Sequence, residues 1–169
     1  MVAEAFTDTR MIFSEVTYQK ISRILYELNT RLKATLCIFA DMNGYAIDFS
    51  GDTQKINVNS FTAVAAGSFS TANEMARIVS GQKHFQHVFL EGEERNVYMC
   101  NVADDYLMIV IFNRLVPVGF VRLLTHHAVD KLSQYLDSLR AGSRQAHGFL
   151  DTDFRKKLDR ELDHAFGLL

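Results

Sequence analysis

The sequence predicts an α/β (α+β) domain in which helices sandwich one five-stranded antiparallel sheet. Segments whose apolar residues recur every three to four positions alternate with short apolar runs of six to eight residues, which are the patterns of helices and strands. The connections inside each group of runs are only three or four residues long, a length that favours hairpins and therefore antiparallel pairing. The predicted order is α-ββ-α-βββ-α, followed by a short C-terminal helix.

The first three elements are a helix and a hairpin. Residues 14–33 carry an apolar stripe at helical spacing, and Ser14 is placed to cap the start of this helix. The runs 34–41 and 45–50 are predicted strands. Between them lies Asn43-Gly44, a pair that adopts the positive φ required in a tight turn.

The second helix, over 61–79, has the most unusual pattern. Asn57 or Asn59 is its predicted cap and Gly81 its predicted end. The face predicted to point inward carries Phe61, Val64, Ala65, Ser68, Phe69, Ala72, Met75, Ala76 and Val79. The face predicted to point outward is mostly small, with charge only at its far end, and comprises Ala63, Ala66, Gly67, Ser70, Asn73, Glu74 and Arg77.

Two interpretations of that outward face remain open. A smooth, nearly uncharged surface lets another backbone approach closely, which is typical of an interface and would suit an isologous homodimer. Alternatively, the same face packs inside the monomer. If it is an interface, Glu74 and Arg77 can supply polar contacts that fix its register.

The second half of the chain predicts three strands and a long helix. The strands are 86–91, 96–102 and 106–112, and the last is apolar throughout, which places it at the centre of the sheet. The helix covers roughly 118–140. The chain is therefore divided into an N-terminal segment (1–13), a domain (14–140), a linker (141–150) and a C-terminal amphipathic helix (151–169). The apolar stripe of the last helix is Phe154, Leu158, Leu162 and Phe166.

Composition argues against several classes of function. The formal net charge of −2 disfavours binding to nucleic acid or to anionic membranes. No signal-peptide core and no bilayer-length apolar run is present, so a cytoplasmic protein is expected. Cys37 and Cys100 fall in predicted strands and are interpreted as buried, reduced thiols.

The sequence contains no motif for catalysis, a metal or a cofactor. Neither phosphate-binding loop, GxxxxGK[ST] or GxGxxG, occurs. His126 and His127 are adjacent, so on a helix they diverge, and His84 and His87 have no neighbouring carboxylate or thiol in the sequence. No arrangement of Ser, His and acid resembles a nucleophile site. The protein is therefore expected to have no active site of its own.

Several segments resemble the Roadblock (dynein light-chain) domain, over roughly residues 14–140. They are the hairpin FADMNGYAIDFSG, the small-residue central helix and the strand VADDYLMIVIF. Within this family, TQKINVNSFTAVAAG and FNRLVPVGFVRLLTHHAVDKLSQYLDSL are similar to the MglB-type regulators of the small Ras-like GTPase MglA.

The resemblance implies a function that the residues alone do not. Roadblock domains form homodimers by pairing their central helices and joining their sheets edge to edge, and MglB-type dimers activate an MglA-type GTPase in polarity or motility control. Two chains serve one GTPase and reposition its switch regions without an arginine finger. The seven outward residues of the central helix would then serve dimerisation and GTPase contact.

Two further functions are alternatives. One is a non-catalytic Roadblock scaffold or adaptor for a GTPase or another Roadblock chain. The other is a small-molecule sensor that uses Cys37, Tyr98, Cys100 and Asn101 as the polar groups of a pocket. The stripe of the C-terminal helix is predicted either to pack on the parent dimer or to dock on the GTPase.

Overall fold

The computed structural model describes residues 13–141 and confirms the predicted order α-ββ-α-βββ-α. The elements are α1 (Glu15–Leu32), β1 (Leu36–Asp41), β2 (Ala46–Gly51), α2 (Val58–Ser80), β3 (His87–Leu90), β4 (Arg95–Val102), β5 (Tyr106–Asn113) and α3 (118–141). The chain divides into two compact units, Met1–Ser133 and Gln134–Leu169, and the fold and site below belong to the first. Apart from residues 13 and 141, the predicted N-terminal segment, linker and C-terminal helix lie outside the described residues.

The five strands form one antiparallel sheet in the order β2-β1-β5-β4-β3. The uniformly apolar strand β5 lies at its centre, as predicted, and residues 107–112 of it are buried. The two edges are β2 and β3. Strand β2 contains a bulge, because Phe39 pairs with Asp48 while Ala40 pairs with Ala46, which leaves Ile47 as the extra residue.

Helices cover both faces of the sheet. Leu36 and Ile38 of β1 and Ile109 of β5 belong to the core cluster that contains Phe69 of α2, so α2 covers this face. The opposite face lies under α1, because the Tyr18 and Ser22 hydroxyls donate to the carboxylate of Asp48, at 3.0 Å from Tyr18 Oη to Asp48 Oδ1. Helix α3 packs beside α1, where Leu28 and Ala128 line a shared groove. Within residues 13–141, no helix is both long and apolar enough to cross a membrane.

Local signals at the ends of the helices act as predicted. Ser14 Oγ accepts a hydrogen bond from Thr17 N at 3.3 Å, and Asn57 Oδ1 accepts one from Ser60 N at 3.0 Å. Gly81 ends α2 with φ of 66°. Asn57 rather than Asn59 is therefore the cap, and α2 begins three residues earlier than its apolar pattern indicated.

The β1–β2 hairpin packs directly on α2. Asp41 Oδ1 accepts hydrogen bonds from the backbone N–H groups of Asn43 and Tyr45, at 3.0 and 2.9 Å, which shapes the turn. Gly44 has φ of +91°, and a Cβ added there would lie 2.7 Å from Ala63 Cα. Glycine is required here because both the conformation and the space exclude a side chain. This contact fixes the N-terminal half of α2 against the hairpin.

Candidate protein-protein interface

The face of α2 that meets the sheet is built mainly from small residues. Its buried residues are Thr62, Ala65, Ala66, Phe69, Ala72 and Ala76. Alanine lets the helix lie close to the sheet, while Phe69 fills the centre of the contact. The sequence had instead predicted Val64, Ser68, Met75 and Val79 on this face, and that prediction is wrong. All four are exposed, and the exposed fractions of the three apolar residues are 73%, 51% and 77%. At about 100° per residue, the helix is rotated by roughly 60° from the predicted orientation.

The rotation changes the position of some predicted interface residues but not of most. Ala66 is only 4% exposed and packs in the core, so its predicted outward position is wrong. Asn73 is half-buried, and its Oδ1 has no hydrogen-bond partner. The remaining predicted residues are exposed, namely Ala63, Gly67, Ser70, Glu74 and Arg77. Gly67 lies at the centre of the exposed face, whereas the other four lie along one side of it.

The centre of the exposed face is an apolar line that the sequence analysis did not identify. It consists of Val64, Gly67, Thr71, Met75 and Ile78, which we call the α2 stripe. These residues follow one another at intervals of three, four, four and three residues, so they lie one above another on the helix. Ile78 is 84% exposed. A continuous apolar line of this kind in water is typical of a surface that another molecule covers.

No contact within the monomer requires a glycine at position 67 of this stripe. A Cβ added to it would meet nothing within 4 Å, so neither space nor conformation requires glycine. Glycine inside a helix costs about 1 kcal/mol relative to alanine. The Thr71 hydroxyl donates to the Gly67 carbonyl at 3.0 Å, which keeps that side chain against its own helix. The two residues leave a shallow notch in the middle of the stripe.

The charged end of the helix is internally paired. Glu74 and Arg77 form an ion pair one turn apart, and each side chain is 60% exposed. Exposed pairs at this spacing contribute only about 0.2–0.5 kcal/mol. The guanidinium of Arg77 is therefore neutralised by its own helix but is held there weakly.

Strand β3 forms one edge of the sheet and carries an exposed apolar residue on the side that α2 covers. No strand of the described chain pairs with its outer edge, which leaves backbone hydrogen-bonding groups exposed. Leu90 pairs with Val97, a residue that packs against the core cluster under α2. Leu90 therefore lies on the α2 side of the sheet, and it is 46% exposed.

Comparison with known proteins gives the family of this fold. Residues 27–112 match the family model of the Roadblock/LC7 domain. The chain belongs to the Roadblock/LC7 family. Among solved structures it is similar to MglB of Myxococcus xanthus, with a TM-score of 0.67 and 29% identity over 70% of this chain and 96% of that one.

Other relatives are more distant. The gliding protein MglB of Thermus thermophilus has a TM-score of 0.68 and 18% identity, over 73% of this chain and 93% of that one. A curated relative from Aquifex aeolicus (strain VF5), described as uncharacterised, is 22% identical over 149 residues, which are 88% of this chain and 92% of that one. These likenesses support the fold.

The four residues considered for a sensor pocket do not converge in this Roadblock/LC7 domain. Asn101 pairs with Leu107 on the α2 side of the sheet, whereas Cys37, Tyr98 and Cys100 point to the opposite face. Asn101 Oδ1 accepts from Asp104 N at 3.0 Å, so it stabilises the β4–β5 turn. Burial raises the pKa of both thiols to about 12, which keeps them protonated and unreactive.

The histidines show one further difference from the sequence analysis. The fold brings Asp104 to His84, with His84 Nε2 and Asp104 Oδ1 separated by 3.7 Å, and Lys83 Nζ lies 3.4 Å from the other carboxylate oxygen. His84 therefore has a carboxylate neighbour that the sequence did not indicate. Within residues 13–141, no group of three metal-ligating side chains comes together.

Proposed function

We propose that this chain is a cytoplasmic, homodimeric regulator that activates a small Ras-like GTPase of the MglA type, in control of polarity or motility. The observation that carries the proposal is the exposed α2 stripe on a Roadblock/LC7 fold. The chain itself contributes no active site in this proposal, because its part is to bind the GTPase and reposition the switch regions.

The α2 stripe is suited to pairing with its own copy. The intervals between its residues read the same in both directions about Thr71. A two-fold axis at Thr71 would therefore set two antiparallel helices so that Gly67 faces the partner's Met75 and Val64 faces the partner's Ile78. A large side chain then meets the notch at Gly67, which is the alternation of large and small residues that close packing needs.

The GTPase would then contact the margin of the stripe. Four of the predicted residues follow one side of α2, about 90° from the stripe at 100° per residue: Ala63, Ser70, Glu74 and Arg77. They remain exposed when the stripe itself is covered by the second copy. Two adjacent margins, one from each helix, would form a platform for a single GTPase, so the proposed stoichiometry is two chains per GTPase.

The proposal is tested by single-turnover phosphate release from a GTP-loaded MglA-type GTPase, with and without this chain. We expect strong acceleration that saturates at about two chains per GTPase, and no hydrolysis by this chain alone. Arginine fingers contribute roughly 10³–10⁵ in rate. Because the proposed activation uses no arginine finger, Arg77→Ala should cause only a modest loss. Absence of both binding and acceleration would refute the proposal.

The second candidate is a non-catalytic Roadblock scaffold for a GTPase or for another Roadblock chain. The symmetry of the stripe favours it, since self-pairing alone would cover Val64, Met75 and Ile78, three exposed apolar residues of α2. One relative is described as MglB with a tetrameric arrangement, and this supports self-association as a use of the fold. In the phosphate-release assay, measurable binding without acceleration would favour the scaffold.

The C-terminal stripe remains a prediction because it lies outside the described residues. It consists of Phe154, Leu158, Leu162 and Phe166, and it is proposed to pack on the dimer or to dock on the GTPase. Truncation after residue 148 distinguishes the two. An unchanged affinity for the GTPase would exclude docking on it.

A further inference from the structure

Three of the four buried side-chain polar atoms that lack a hydrogen-bond partner in the described chain occur in one seam. They are His87 Nδ1 on β3, Tyr98 Oη on β4 and Thr125 Oγ1 on α3. The fourth, Asn73 Oδ1, lies on α2. Tyr98 and Thr125 are 1% and 0% exposed, so bulk water cannot satisfy their hydroxyls.

One ring contact and the electrostatic surroundings of His87 place the three groups near one another. The rings of His87 and Tyr98 stack with their centroids 5.2 Å apart and their planes at 19°. Thr125 lies on the buried side of α3, and its helix neighbours Arg122 and His126 both act electrostatically on His87. Arg122 also acts on Tyr98. The part of α3 that contains Thr125 therefore lies near the His87–Tyr98 pair.

Leaving three such groups unsatisfied would be costly. A buried donor or acceptor without a partner costs about 1–3 kcal/mol. Proteins commonly satisfy clusters of this kind with a buried water molecule, which typically makes about three hydrogen bonds. Two hydrogen bonds of about 2.8 Å joined at one oxygen span up to about 5.6 Å, so one water molecule can bridge polar atoms that are too far apart to bond each other directly.

We infer that one buried water molecule is bound between α3 and the β3–β4 strands, held by His87, Tyr98 and Thr125. The Tyr98 and Thr125 hydroxyls donate to its oxygen, and the water donates to Nδ1 of a neutral His87 whose proton is on Nε2. The water thereby links the edge strand β3 to α3. No direct hydrogen bond or ion pair between His87 and a side chain of α3 occurs in the described residues. The inference is independent of the proposed function.

The sign of the stability change on removing a hydroxyl tests the inference. If the water is present, Tyr98→Phe and Thr125→Val each remove a satisfied hydrogen bond, and each should lower the folding equilibrium constant roughly five- to tenfold in urea titrations. Because both hydroxyls share one water, the double variant should lose less than the product of the two effects. If the hydroxyls are unsatisfied, removing either should raise the folding equilibrium constant.

A matched control uses Thr62, a fully buried threonine on the other side of the sheet whose hydroxyl donates to the Val58 carbonyl at 2.7 Å. The effects of Tyr98→Phe and Thr62→Val should multiply, since these sites share no partner. A high-resolution crystal structure of the unmodified protein gives a direct readout. Density within hydrogen-bond distance of all three atoms is expected. An empty seam, a stabilising Tyr98→Phe, or multiplicative effects for Tyr98 and Thr125 would overturn the inference.

Discussion

The two-fold arrangement proposed for the α2 stripe is tested by the substitution Gly67→Leu. In the monomer this change should be harmless, because a Cβ at Gly67 meets nothing within 4 Å. Helix propensity should even raise the free energy of unfolding of the monomer by about 1 kcal/mol. In the dimer, however, each new leucine would occupy the notch that receives the partner's Met75.

The size of the effect follows from the symmetry. Overpacking costs about 1–3 kcal/mol at one site, and an isologous contact contains two such sites. The dimer should therefore be weakened by about 2–6 kcal/mol, which is between about 30-fold and about 10⁴-fold in dissociation constant. Adding Met75→Ala to Gly67→Leu should restore much of the affinity, because it opens the opposing position in both copies.

Sedimentation equilibrium over a dilution series measures both effects. Thr30→Leu is the matched control, since it adds the same side chain at an exposed position of α1 on the other side of the sheet. An unchanged dissociation constant for Gly67→Leu would show that the α2 stripe is not the surface of self-association. A large loss that Met75→Ala fails to restore would contradict the register about Thr71.

Three further predictions concern single residues. Ile78→Ser should weaken the dimer by about 4 kcal/mol over its two copies, because burial of such a side chain contributes about 2 kcal/mol; in sedimentation, Val16→Ser, at a 70% exposed position of α1, should change little. Gly44→Ala should lower the free energy of unfolding by about 1–3 kcal/mol, measured in urea, because its Cβ would lie 2.7 Å from Ala63 Cα at φ of +91°. Gly81→Ala is the control, with φ of +66° but open space, and an equal loss there would refute the steric argument. The pKa of His87 is lowered from 6.5 by burial and by Arg122 and His126, while Tyr98 and Cys100 on β4 supply no negative charge near neutrality. The unfolded chain then binds more protons, so the free energy of unfolding should fall as the pH drops below 6.5 through the folded pKa. In urea titrations across this range, Arg122→Gln should reduce the slope of the free energy of unfolding against pH. An unchanged slope would contradict the assignment of this pH dependence to His87 and Arg122.

The sequence predicted the fold because the relevant signals are local. The caps at Ser14 and Asn57 and the helix end at Gly81 act through their own neighbouring backbone groups. The central position of β5 follows from its uninterrupted apolar run, since only a strand covered on both faces is built that way.

The orientation of α2 was not predictable in the same way. A helical projection ranks Val64 and Met75 above alanine as core residues, but it carries no information about how closely the helix approaches the sheet. Close approach selects Ala65, Ala66 and Ala72, and the larger apolar residues are left outside. The pairing of His84 with Asp104 was also missed, because they are 20 positions apart in the sequence and only the tertiary fold joins them.

The sequence alone could, in contrast, have excluded the sensor pocket. Side chains alternate between the two faces of a strand, so Asn101 must point away from Cys100. Applying that period to β4 would have separated the two residues without a structure.

The different construction of the two sheet edges limits how far copies of the chain can associate. Strand β2 carries the extra residue Ile47, so its outer edge is irregular, and Asp48 holds the strand to α1 across the face of the sheet. Strand β3 has no such interruption. Pairing of two β3 edges would use the regular edge of each molecule and leave only the bulged ones outside. Growth of the sheet would then stop after one addition, which protects an open-edged protein from polymerising into fibres.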